Sequence, residues 1–163
     1  MKRTHLPWTP LQRLLMLAAG LVCAGTLAAL LLALPSLPAQ LPTRYAPDGS
    51  AAHDSGKGLL FIPAGLAAAA FLSLLLLSFF PDAWNTVREP LPERRIPVLR
   101  ATRTFLCTVT LTVVMLLCGA SLSIPGWIPA GVLLACMIPA ILLEIILGIL
   151  FIFRAHTPEK KED

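Results

Sequence analysis

The sequence predicts an all-α integral membrane protein with four transmembrane helices and with both termini in the cytoplasm. Three observations lead to this fold class. Hydrophobic residues make up 56% of the 163 residues and charged residues only 13%, a composition outside the range of water-soluble domains. The apolar residues form four blocks, each close to the roughly 20 residues that a helix needs to cross a bilayer. Lysine and arginine flank these blocks instead of interrupting them.

We place the four spans at residues 14–34, 59–80, 104–124 and 128–153. Helices are expected because a backbone in lipid must satisfy its own hydrogen bonds and because no alternating strand pattern is visible. The other segments are the N-terminal flank 1–13, the opening loop 35–58, the basic linker 81–103, the turn 125–127 and the tail 154–163.

The first span follows a flank that carries Lys2, Arg3 and Arg13, with Trp8 at headgroup depth. The span is longer than the roughly 7 to 15 residues of a signal-peptide core, so we expect it to be retained. The second span has Pro63 near its start, where a missing N–H costs little.

The linker between the second and third spans is rich in charge. Its prolines, Pro90, Pro92 and Pro97, argue against a continuous helix, so we expect a solvated segment that lies along lipid headgroups. The turn at 125–127 is short, which predicts that the third and fourth spans form an antiparallel hairpin. We expect the four cysteines, all inside spans, to be buried free thiols that serve as small packing groups.

The positive-inside rule fixes the predicted orientation. Eleven of the 13 basic residues lie in the N-terminal flank, the linker and the tail, whereas the opening loop holds only Arg44 and Lys57. Both termini and the linker are therefore expected in the cytoplasm, and the opening loop outside. The sequence thus indicates a multi-pass protein of a cell membrane, with the lipid bilayer as the main partner.

Glu144 is the one acid or base well inside a predicted span, about 13 Å from its cytoplasmic end. A carboxyl group in hydrocarbon is costly and marks a functional hypothesis. No intramembrane basic residue can pair with it, so we expect a neutral carboxyl that donates to a backbone carbonyl or to the face with Thr108 and Thr112. Two interpretations stay open: a packed structural hydrogen bond, and a proton-linked or ligand-linked role.

Chemistry-bearing patterns are otherwise sparse. His53 and Asp54 in the opening loop are a weak metal signal, because no second histidine or thiolate lies on that side. The chain contains no nucleophile elbow, P-loop, zinc-protease or dinucleotide pattern. Its basic residues form no patch with interleaved aromatics. We therefore expect no enzyme activity, no catalytic residue, no cofactor, no metal and no nucleic-acid partner.

The opening loop carries a spaced pattern of prolines, an aromatic, a glycine and a lysine. From Leu37 to Lys57 this pattern resembles, without insertion, the bacterial membrane family known as domain of unknown function 1648. That family has L-P-x-x-[I/L]-P-x-H-[F/W]-N-x-x-G-x-x-D-x-x-[G/S]-[S/G]-K between its first two helices. The matching candidate residues are Leu37, Pro38, Pro42, Tyr45, Gly49 and Lys57, while Arg44, Ala46 and Ala52 replace the family's His, Asn and Asp.

The resemblance implies a small multi-pass protein with a sensing or protective loop. Members of the family include SdpI-like proteins, which confer immunity to a secreted toxin and signal through sequestration of a repressor. Our first hypothesis is therefore a loop that binds a peptide, lipid or membrane protein partner. The alternatives are a small transporter that uses Glu144, which would require self-association into a homo-oligomer, and an accessory subunit of a larger membrane complex.

Overall fold

A computed structural model of the chain describes residues 6–45, 51–81, 84 and 94–156, with side chains described outside 42–45, 51–55 and 156. Four helices in this part are long and apolar enough to cross a bilayer, which confirms the predicted number of candidate spans. A short 3-10 helix, Lys57–Leu60, precedes the second of them. In chain order the main elements are α1 (Pro10–Ala33), β1 (Gln40–Tyr45), β2 (Ala51–Gly56), α2 (Phe61–Ser78), α3 (Arg95–Ser123) and α4 (Ala130–His156).

Helix α1 begins before the apolar block because local polar groups satisfy its first turn. The Thr9 hydroxyl accepts from the Gln12 amide at 3.3 Å, and the Gln12 side chain accepts from the Thr9 amide at 3.1 Å. This reciprocal capping box, with Pro10 at the first helical position, defines the N-terminus.

Helix α3 begins at Arg95, nine residues before the predicted span, so the last part of the predicted linker is helical. The sequence predicts that Pro97 interrupts a helix here, whereas in the structure Pro97 lies inside α3. It occupies the first turn, where an N–H has no intrahelical acceptor and its absence costs little. As a result Arg100 and Arg103 lie on the helix, whereas Pro90 and Pro92 lie outside the described residues.

Helix α3 is the central element, since α1, α2 and α4 all pack against it. The core between α1, α2 and α3 is built from small side chains, which let the helices approach closely. Its buried members are Ala19, Cys23, Ala67, Val114 and Cys118. The cysteine prediction holds for Cys23, Cys107 and Cys118, which are buried and free, but is wrong for Cys136, which lies exposed on α4.

Helix α4 makes its main contacts with α3, through two glycines at opposite ends of the pair. The Leu133 side chain of α4 lies 2.6 Å from where a Cβ on Gly119 would stand, and the Phe105 ring of α3 covers Gly148 of α4. Residues early in α3 therefore meet residues late in α4, so the two helices are antiparallel. Gly126, at a φ of 79°, allows the tight connection between them.

The opening loop contains an element that the sequence did not predict. Strands β1 and β2 form a two-stranded antiparallel sheet, so the chain is not purely helical. The ladder is irregular beside Arg44, with register shifts on either side of that residue. Pro42 within β1 is compatible with this sheet because a two-stranded sheet has two edges where an N–H is not needed.

The glycine contact at Gly148 generates a stability prediction. In Gly148→Ala the new methyl group must displace the Phe105 ring, so the free energy of unfolding should fall by about 1–3 kcal/mol. Gly131→Ala on the same helix is the matched control, because a Cβ there meets nothing within 4 Å. Thermal unfolding in detergent, followed by circular dichroism, measures both. Equal unfolding midpoints for the two variants would contradict the close contact of α3 and α4.

Candidate functional site

Two regions hold the candidate residues, the opening hairpin and a cleft beside α4. The hairpin is fixed at its base by apolar contacts. Leu41 is 3% exposed and shares a buried cluster with Leu30 of α1 and with Leu60 and Ala64 at the start of α2. Leu37 is partly buried against the same cluster. The two leucines of the loop pattern therefore anchor the hairpin on the ends of α1 and α2.

Lys57 ties the second strand to the first helix. Its ammonium nitrogen donates to the Leu34 carbonyl oxygen, at 2.9 Å, where α1 ends. A cation at this position satisfies one of the last carbonyls of the helix and interacts favourably with the negative end of its dipole. The lysine of the loop pattern thus has a structural contact in this chain.

The remaining pattern residues fall on the strands or next to them. Pro38 is exposed just before β1. In the strand register Pro42 pairs with Asp54, Arg44 with His53, and Tyr45 with Ala51. The backbone therefore brings Arg44 and His53 opposite each other. Gly49 and Ala46 lie outside the described residues, as does Asp48.

A cleft of about 700 Å³ lies between α1 and α4, with α3 as its floor. The three candidate intramembrane residues, Glu144, Thr108 and Thr112, all line it. The expectation that Glu144 lies beside the threonine face of α3 therefore agrees with the structure. The other lining residues are Leu11, Leu15, Thr104, Phe105, Leu111, Ala140, Leu143, Leu147, Gly148 and Phe151.

The Oε1 atom of Glu144 is buried and has no hydrogen-bond partner within the described ranges. Two of the three threonine hydroxyls that line the cleft donate their protons elsewhere. Thr108 donates to the Phe105 carbonyl oxygen at 2.8 Å, and Thr104 donates to the Arg100 carbonyl oxygen at 3.0 Å. These two hydroxyls therefore have lone pairs but no proton to offer Glu144, and the expected packed hydrogen bond is not formed at Oε1.

A buried glutamine near the start of α1, which the sequence did not single out, bonds to one of the residues that line the cleft. Gln12 is fully buried, and its Nε2 donates to the Thr104 hydroxyl at 2.9 Å and to the Arg100 carbonyl oxygen at 3.3 Å. The same side chain caps α1, so it links the start of α1 to α3. The sequence signal for this capping role is the T-x-x-Q spacing of Thr9 and Gln12, which lies just before the apolar block.

Comparison with known proteins does not assign the chain to a family. No family model, no curated protein and no solved structure matches it. The resemblance to domain of unknown function 1648 therefore depends on the loop pattern alone.

Arg103 lies in the segment that the sequence predicts to be a solvated linker, but its side chain is buried. It is 2% exposed, and its Nη1 donates to the Leu6 carbonyl oxygen at 2.8 Å. The guanidinium lies 4.9 Å from the ring centroid of Trp8 and 5.7 Å from that of Trp84. Cation–π attraction to two indoles partly replaces the lost hydration. This cluster joins the segment before α1, the segment after α2 and helix α3.

Replacement of Arg103 by lysine tests this cluster. Arg103→Lys keeps the charge but loses the planar group that lies over the two indoles, so we expect a loss of about 1–3 kcal/mol in the free energy of unfolding. Arg100→Lys is the matched control, because Arg100 lies one turn earlier with its side chain exposed. Thermal unfolding in detergent distinguishes them. A decrease of the same size in both variants would show that Arg103 has no special environment.

Proposed function

We propose that this chain is a non-enzymatic, multi-pass protein of the bacterial cell membrane that recognises a peptide, lipid or protein partner through its outer hairpin. The proposed orientation puts both termini and the basic linker in the cytoplasm and the hairpin outside. It is supported by the distribution of lysine and arginine, since only Arg44 and Lys57 lie on the hairpin side. A sensing or immunity role, as in the family that the loop resembles, is the form of recognition that we propose.

The observation that carries this proposal is the anchoring of the hairpin. Leu41 is buried between α1 and α2, and Lys57 donates to the end of α1. A flexible loop loses much conformational entropy when it binds a partner. A hairpin whose base is already fixed to the helices loses less. The anchored residues are those at the two ends of the pattern. Arg44 and Tyr45 lie between them in the chain, at the far end of β1, and we propose that they contact the partner.

A second candidate function uses the cleft instead of the hairpin. The observation that favours it is the buried Oε1 of Glu144, which lacks a partner among the described residues. An unsatisfied carboxyl group inside a membrane is costly and is typical of sites that bind a ligand, a proton or another helix. Glu144 is therefore suited to a small transporter, which would work as a homo-oligomer, or to an accessory subunit that packs against a larger complex.

Site-specific photo-crosslinking in living cells tests the hairpin proposal. A photoreactive phenylalanine analogue in place of Tyr45 should give a discrete crosslinked product, and Arg44→Ala in the same chain should reduce that product several-fold. The same analogue in place of Trp127, which is 46% exposed in the α3–α4 connection, is the matched control. Identical products from both positions, or a product indifferent to Arg44→Ala, would contradict partner recognition by the hairpin.

A second variant tests whether anchoring matters. Lys57→Met removes the contact with the Leu34 carbonyl oxygen, so the Tyr45 product should also decrease, while Lys57→Arg retains a donor and should preserve most of it. An undiminished product in Lys57→Met would show that recognition does not depend on the fixed base.

A further inference from the structure

The cleft beside α4 is open at its rim and large enough to hold a small molecule. Four of its apolar rim residues, Leu11, Leu143, Leu147 and Phe151, are each more than half exposed, so the cleft is open at the side of the helix bundle. If the four helices span the bilayer, this opening faces lipid. Its volume of about 700 Å³ lies within the roughly 300–1,000 Å³ typical of small-molecule sites.

Glu144 is the only ionisable side chain among the described residues that line the cleft; the others are Leu, Thr, Phe, Ala and Gly. It forms no ion pair within the described part of the chain. The basic residues of the three helices that form the cleft lie toward their cytoplasmic ends: Arg13 on α1, Arg95, Arg100 and Arg103 on α3, and Arg154 on α4. Along α4, Arg154 is ten residues from Glu144, about 15 Å. The carboxylate therefore has no counter-charge supplied by these side chains.

The other polar atoms of the cleft select the sign of a ligand's charge. Thr104 and Thr108 have committed their protons to backbone carbonyls, so they present acceptor lone pairs. The aromatic rings of Phe105 and Phe151 line the same space, and the face of such a ring attracts cations. An anion would meet these lone pairs and the carboxyl group, and Thr112 would be the only described threonine of the lining with a proton to donate to it. A purely apolar molecule would leave Oε1 unsatisfied.

We infer that this cleft binds lipophilic monovalent cations, apolar molecules that carry one ammonium or phosphonium centre, with the Glu144 carboxylate as the counter-charge. The inference rests on the second candidate function and names its ligand class. A bound cation would place its charge against the carboxyl group, which has no ion-pair partner among the described residues that line the cleft.

Binding of tetraphenylphosphonium to the purified full-length chain tests the inference. Isothermal titration calorimetry in detergent should detect binding by the unmodified protein and a Kd at least tenfold higher for Glu144→Gln. Tetraphenylborate, which has the same shape and the opposite charge, should not bind.

A cleft-filling variant keeps the test independent of the carboxyl group. Ala140→Leu fills the cleft and should raise the Kd at least tenfold, whereas Ala135→Leu on the same helix lies outside the cleft and should leave it unchanged. Circular dichroism and size-exclusion elution verify that each variant is folded.

Three outcomes would overturn the inference: no phosphonium binding by the folded protein, an unchanged Kd in Glu144→Gln, or equal binding of the borate. A Glu144→Gln chain that keeps its phosphonium affinity but elutes as a different oligomer would overturn the ligand class while supporting the assembly role. The hairpin crosslinks are independent of all these results.

Discussion

The contact between α3 and α4 determines where the cleft lies. Phe105 of α3 covers Gly148, and Leu133 of α4 covers Gly119. Residues 105 and 119 are about 21 Å apart along α3. Two such contacts fix α4 along about half of the length of α3. Because α4 makes its main contacts with α3 alone, its side toward α1 is left as an open cleft that contains Glu144.

The buried polar groups of the helices differ in their partners and in where they lie. Gln12 is buried but donates to Thr104 and to a carbonyl oxygen, and Arg103 is buried but donates to Leu6 and lies beside two indoles. These contacts replace part of the lost hydration. Three buried atoms lack a hydrogen-bond partner among the described residues: Arg103 Nε, Ser121 Oγ and Glu144 Oε1. Of the three residues only Glu144 lines the cleft, which is why we propose that Glu144 is a binding group.

The four candidate spans could be predicted because the bilayer thickness imposes a length and a composition that are visible in the sequence. That Glu144, Thr108 and Thr112 line one cleft was also predictable. Residues four apart lie on one helix face, and a short turn joins α3 to α4. Nothing in the periodicity of the opening loop indicated β1 and β2. Proline and glycine suppress a strand pattern there, and the pairing depends on Leu41 packing against the helix ends.

The burial of Arg103 was unpredictable for a related reason. Charge and proline content gave the linker the appearance of solvated chain, and only tertiary contacts with Trp8 and Trp84 remove this arginine from water. The capping box at Thr9 and Gln12 was legible in the sequence, but the second role of Gln12, as donor to α3, depends on how the helices pack.

We propose that four helices cross the membrane with the hairpin outside and the Glu144 cleft within the bilayer. Cysteine accessibility in intact cells distinguishes this arrangement from the inverted one. In a chain whose native cysteines are replaced, Ser50→Cys should react with a membrane-impermeant maleimide without lysis, whereas Thr157→Cys should react only after the membrane is opened. Labelling of Thr157→Cys in intact cells, with Ser50→Cys protected until lysis, would contradict the claim.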